Sequence, residues 1–147
     1  MSDTISSKPI LVPVRVGDEL TIGTLTASRE GRVWTVELIA DGHSLSGSAA
    51  DVFEASRVLR RLGEAERILI GFNGARPNAW ASGMQRDMGS GHRVYLLNLD
   101  PPVARLRPPE ARTLTPAPLD EVGSLAEQDE FQRQWLELRH MVPPTQE

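Results

Sequence analysis

Between Gly74 and His92 the chain concentrates groups capable of chemistry: Arg76, Trp80, Ser82, Met84, Arg86, Asp87, Ser90 and His92, punctuated by Gly74, Gly83, Gly89 and Gly91. A histidine near an aspartate, with serines close by, has the parts of a general base, its orienter and a nucleophile. No Gly-x-Ser-x-Gly elbow surrounds Ser82 or Ser90, so the sharp turn that would present a serine nucleophile has no sequence support. The glycines raise a second possibility, a phosphate cradle in which small residues let backbone N–H groups approach an anion. Their spacing speaks against it. Gly71-Phe72-Asn73-Gly74 has no third glycine in dinucleotide register, and the run from Gly83 to Gly91 has neither the lysine nor the following Ser/Thr of a P-loop. Turn geometry is the simpler reason for these glycines. His43, His92 and His140 are scattered, and nothing resembles His-x-x-x-His, so neither a metal nor a cofactor is expected.

Arg76, Arg86 and Asp87 support two readings. A planar guanidinium with five donors is well suited to tie a long loop down through carbonyl oxygens or a carboxylate. Turned outward, the same arginines, with Trp80 and Met84, are the residue types enriched at the centres of protein interfaces. The acidic residues Asp120, Glu121, Glu127, Asp129 and Glu130 read first as a solvated helix start, and second as a surface for a basic partner.

Composition limits the function classes. The 147 residues are 39% apolar and 24% charged, near globular norms. That length suits one domain (1–147) with one core. A net charge of −4 and an isoelectric point near 5.4 argue against a general nucleic-acid binder. There is no cysteine, which removes disulfides, thiolate nucleophiles and zinc–thiolate sites together. The N-terminus has no basic leader followed by a long apolar core, and no run approaches a membrane span, so a cytoplasmic chain without membrane contact is expected.

The elements that must position the loop follow from hydrophobic period and turn residues. Residues 1–8 lack periodicity and read as a loose tail. Ile10 to Val16 is strand-like, with Pro13 assigning it to a sheet edge. Leu20 to Ala27 and Val33 to Ala40 alternate and form a hairpin, with Trp34, Val36, Leu38 and Ala40 on the core face. Asp41-Gly42 marks a tight turn into a short strand at His43 to Gly47. Ser48 with Asp51 resembles a capping box for a helix that places Val52, Ala55, Leu59 and Leu62 inward. Its Glu54, Arg57, Arg60 and Arg61 face water, and Gly63 is its stop. Ile68 to Phe72 and Val94 to Leu99 are buried strands flanking the loop. Ser82 caps a short loop helix ended by Gly89, which sets Met84 and Met88 on one side. The proline-rich segment 100–122 wraps the body as extended chain held by Val103, Leu106 and Leu114. Ser124 with Glu127 opens a C-terminal helix over 124–140, on which Phe131, Trp135 and Leu138 share a face that docks on the sheet. The expected class is α+β: an antiparallel or mixed sheet of about five strands, a helix after the N-terminal hairpin, a short loop helix and a C-terminal helix.

The stretch GARPNAWASGMQRDMGSGHRVYLLNL, followed after a proline-rich spacer by VGSLAEQDEFQRQWL, resembles a group of small bacterial proteins associated with polymorphic-toxin and type VI secretion loci. The shared pattern falls on Gly74, Ala75, Arg76, Ser82, Gly83, Met84, Arg86, Asp87, Met88, Gly89 and Tyr95; where the group commonly has proline before Ser-Gly-Met, this chain has Ala81. The resemblance implies a cognate immunity protein, not an enzyme, that binds a co-encoded toxin domain and occludes its active site. Candidate contacts are Arg76, Trp80, Met84, Arg86, Asp87 and His92, with Glu127 and Glu130 of the last helix. The rival expectation is a protein or enzyme for a small anionic ligand, using Arg76, Arg86 and His92 of the Gly74–His92 loop. A third is an adaptor for a secreted effector.

Overall fold

Alternation decides the first half of the chain. Thr4–Ser6 (β1), Ile10–Val16 (β2), Glu19–Glu30 (β3), Val33–Ala40 (β4) and His43–Ala49 (β5) are joined by short connections, and residues 4–104 and 106–141 are described by the computed structural model, the side chains of Thr4 and Met141 excepted. Every second side chain turns inward: Val12 and Val14, Leu25 and Ala27, then Trp34, Val36, Leu38 and Ala40 on the expected face of β4. Asp41 and Gly42 take φ of +47° and +80°, the left-handed pair that a tight hairpin between β4 and β5 requires. Ile68–Ile70 (β6) completes the sheet, whose antiparallel order is β5-β4-β3-β2-β6, with β1 beside the far end of β3.

Two expectations for this sheet are corrected. Strand β2 is not an edge, because it lies between β3 and β6. Its proline falls where β6 ends: Gly71 N–H donates to the Pro13 carbonyl at 2.8 Å, and Pro13 cannot return the bond. Ala117 N–H supplies it instead, donating to Gly71 O at 3.0 Å. That strap approaches so closely that a Cβ on Gly71 would meet the Ala117 carbonyl oxygen. Residues 4–8 are not a loose tail either. Because β3 outruns β2, its Ser28–Glu30 ladder is open, and β1 pairs there while Ser7 N–H bonds Ala27 O at 2.7 Å. Residues 1–3 of the expected tail lie outside the described residues.

Helix α1 (Val52–Ala65) crosses the inner face of the sheet. Its cap is Asp51, whose carboxylate accepts from Glu54 N–H at 2.8 Å; Ser48, expected to cap it, sits in β5 with its hydroxyl 2.7 Å from that of Thr35. Gly47 lets the helix lie directly on β5, since a Cβ there would overlap the backbone of Ala55 and Leu59. Gly63 is not the stop; the helix continues to Ala65, and Arg67 takes the left-handed φ of +60°. Val52, Ala55 and Leu59 enter the main core as expected, but Leu62 is exposed.

A second layer covers the other side of α1. Ala79–Trp80 (β7), Arg93–Leu96 (β8) and Glu110–Arg112 (β9) form a small antiparallel sheet, β7-β8-β9, whose core joins Phe53 of α1 to Ala79, Ala81 and Val94. Thus β6 and β8, the strands flanking the loop, belong to different sheets. Between β7 and β8 runs α2 (Gly83–Gly89). The proline-rich segment is more structured than expected. Pro101 and Pro102 start a four-residue helix, α3 (Pro101–Ala104), where a missing N–H costs nothing. Strand β9 and a 3-10 turn at Leu119–Glu121 follow. Leu114 is its buried anchor, but Ala104 takes the place expected of Val103 and Leu106, which are exposed.

The C-terminal helix, α4 (Leu125–Met141), opens on the expected capping box, with Ser124 and Glu127 exchanging bonds of 2.7 and 3.0 Å. It docks on α1, on α3, on strand β7 of the small sheet and on the turn at 73–76, rather than on the main sheet. Arg57 and Arg60, expected to face water, are 6% and 5% exposed and both donate to the side-chain oxygen of Gln128, which is fully buried. Arg57 also reaches Asp129 at 2.6 Å, and Arg60 reaches the Gly123 carbonyl at 2.9 Å. The Gln128 amide donates onward to the carbonyls of Gly74 and Arg76 at 2.8 and 2.9 Å. Burial, with Arg57 alongside, lowers the Arg60 guanidinium to about 10, still charged at neutral pH. Replacing Gln128 by Ala leaves two buried cations short of an acceptor, so Gln128→Ala is expected to lower unfolding stability by about 2–4 kcal/mol, read from urea denaturation. A change below about 0.5 kcal/mol would mean that the cluster does not hold the layers together.

Candidate partner-binding site

Helix α2 is the projecting element of the loop. Ser82 accepts from Gln85 N–H at 3.1 Å and the Gln85 side chain accepts from Ser82 N–H at 2.8 Å, a complete capping box. The helix ends on Ser90 in the left-handed conformation, φ +56°, rather than on Gly89. Ser90 O then takes Val52 N–H at 2.8 Å, and Gly91, with φ +72°, lies so close to α1 that a Cβ would touch the Asp51 carboxylate at 2.6 Å. The C-terminal end of α2 is therefore fastened to α1, while the capping box closes its N-terminal end internally.

Arg86 fastens its underside. The guanidinium lies 4.9 Å from the Phe53 ring centre and 5.6 Å from that of Trp80, bonds Glu54 at 3.3 Å and reaches the Ala81 carbonyl at 3.2 Å. Trp80 packs edge-on to Phe53 at 5.5 Å and has the Arg57 guanidinium 5.1 Å from its centre. Each such cation–π contact contributes on the order of 0.5–1 kcal/mol at a partly exposed site. Two of the expected anchors, Trp80 and Arg86, are thus turned toward the body as the base of α2. Above that base Met84 is 71% and Met88 82% exposed, four residues apart on the helix. Asp87 beside them is exposed.

The other candidates are spread over the molecule. Arg76 bonds Glu121 at 2.6 Å and Asn73 at 3.0 Å, the tie-down reading of that residue. Glu127 serves the α4 capping box, and Glu130 accepts from Arg133 at 2.6 Å and from Gln134 at 2.8 Å. The bond from Arg133 first, then that from Gln134, hold the Glu130 carboxyl down at about 2. Both glutamates line a shallow groove with Pro77, Phe131 and Gln134. His92 stands edge-on to Trp34, ring centres 4.8 Å apart, while its backbone oxygen takes Thr113 N–H at 2.8 Å. Arg112, rather than Arg76 or Arg86, accompanies it at a cavity of about 190 Å³. Arg76, Arg86 and His92 therefore each serve a different neighbour.

Among the described residues no cluster of three or more His, Asp or Glu side chains could hold a metal, and no helix is long and apolar enough to cross a membrane. The sequence matches no protein-family model, and no curated protein matches it. Sequence reasoning missed the glutamate under Arg86, because Glu54 reads as one more solvated helix charge. It also missed Phe53 as the platform, although an aromatic residue one position off the main apolar stripe was the available signal.

Burial, and then the nearby Arg112 charge, lower the His92 pKa from 6.5. The unfolded chain then binds that proton more readily than the folded one, so stability falls as pH drops through 6.5 toward the folded value. His92→Gln is expected to flatten the melting temperature in this acid window relative to the parent, measured by thermal melts in a buffer series. An unaltered acid slope would show that His92 does not carry it.

Proposed function

We propose that this chain is an immunity protein: it binds a co-encoded bacterial toxin domain in the cytoplasm and covers that domain's active site, with α2 as the contacting element. The observation that carries the reading is the pair Met84 and Met88, both largely exposed on a helix whose C-terminal end is bonded to α1 and whose underside rests on Glu54, Phe53 and Trp80. Exposed thioether side chains at i, i+4 are costly in water and adapt well to an apolar groove, and methionine is enriched where proteins meet. A fixed helix loses little conformational freedom on binding, so more of the contact energy remains as affinity. The residues shared with the toxin-associated group, Ser82-Gly83-Met84 and Arg86-Asp87-Met88-Gly89, are those of this helix and its cap. In this reading Trp80 and Arg86 act from below by holding α2 in place, and Asp87 sits at the rim.

An inhibitor that protects its producer needs a dissociation constant near ~1 nM, about −12 kcal/mol, which a standard interface reaches only with well-packed central anchors. Replacing Met84 and Met88 together by Asp is expected to leave the melting temperature close to the parent's, to weaken toxin binding by about 100-fold or more, and to abolish growth protection on co-expression. Binding is read by calorimetry and protection by colony counts. Full protection by the double variant would remove α2 from the interface. Failure of the parent chain to protect against the neighbouring toxin gene would overturn the reading as a whole.

A further inference from the structure

The main sheet has a second face, turned away from α1; the strap at Ala117 meets it at Pro13 and Gly71, and beyond that margin its apolar side chains are exposed. The register places Leu11, Thr24, Ile39 and Ser44 in one row across β2, β3, β4 and β5. The adjoining row sets Pro13 beside Ile22, and the next sets Leu69, Arg15 and Leu20 across β6, β2 and β3. Leu11, Leu20, Ile22 and Ile39 are 65%, 75%, 62% and 53% exposed. Ile22 therefore stands at the middle of an apolar field rather than alone.

We propose that this face is the interface of a two-fold homodimer. Its charges are arranged for a second copy of itself. Arg15 lies at one end, paired with Leu20, and Glu37 at the other, paired with Thr26, six residues further along β3 or about 20 Å at ~3.4 Å per residue. They sit on opposite sides of β3, and the midpoint between them falls between Ile22 and Thr24, at the centre of the apolar field. A two-fold axis lying in the contact plane through that point sets each copy's Arg15 over the other's Glu37 and stacks the two Ile22 side chains nearby. An isologous contact needs this self-complementarity, in which each patch meets itself in reverse. The rows beyond are threonine and serine, short enough to permit face-to-face approach.

The size fits as well. A face about 20 Å across and about 27 Å long, from Leu20 to Ser28, offers roughly 500 Å² in projection. Pairing two of them removes roughly 1,000 Å² or more of surface, the threshold for a specific interface. Since α2 is attached to the other side of α1, the dimer leaves both copies of that helix uncovered, and its test is separate from that of toxin binding.

The purified full chain, examined by sedimentation equilibrium over a concentration series, is expected to pass from monomer to dimer. Ile22→Glu is expected to raise the dissociation constant by about 100-fold while the melting curve of the diluted, monomeric chain stays cooperative. Arg15→Glu is expected to raise it by about 10-fold, and combining it with Glu37→Arg to restore most of the loss. A parent chain that stays monomeric throughout, a dimer indifferent to Ile22→Glu, or a charge-swapped pair that fails to recover would each overturn the proposal.

Discussion

Two buried guanidiniums with one shared acceptor set the terms for the rest of the molecule. Arg57 and Arg60 lie on the side of α1 away from the main sheet, and a charged group removed from water must find several good partners or destabilise what contains it. Gln128 meets that need from α4, while carbonyls of Gly74 and Gly123 and the carboxylate of Asp129 complete the set. Because the Gln128 amide also holds Gly74 and Arg76, one side chain joins a helix, a turn and a second helix that are far apart in sequence. The start of the loop is therefore located by the interior of the protein.

From that point the position of α2 follows link by link. Arg57 also meets Trp80, Trp80 meets Phe53, and Phe53 and Trp80 together meet Arg86. Two packed rings thus lie between two cations, and each guanidinium rests against an aromatic ring whose face favours it. The bond from Val52 N–H to Ser90 O finishes the attachment at the C-terminal end. What remains turned to solvent is the flexible, apolar part of the helix, an arrangement with rigid support and an adaptable tip.

Elements whose evidence is local were legible in the sequence. The strand pattern Trp34, Val36, Leu38 and Ala40, the turn at Asp41-Gly42, the short helix behind Ser82 and the capping box of Ser124 with Glu127 all depend on residues within a few positions of one another. What escaped depends on partners far away. A charge on a helix is assigned to water unless the residue that will bury it is known, and for Arg57 that residue lies 71 positions on. Pro13 is assigned to an edge unless Ala117 is known to complete the ladder. Within the site, the sequence picked out the right segment but not which way its side chains turn, since Trp80 is as suitable for a foundation as for a contact. The outer face of the sheet was present in the alternation of Leu20, Ile22 and Thr24 against Gly23 and Leu25, a strand with apolar residues on both sides.

The 71-residue separation between Arg57 and Gln128 also has a meaning in time. During synthesis at about 5–20 residues per second, some 4–14 s pass between the appearance of the arginine and that of its glutamine. Over that interval β2 to β5 and α1 can already pair and pack, while the two arginines of the nascent helix lack the acceptor they share. The cluster that joins α1 to the turn at 73–76 is therefore complete only once α4 has been made.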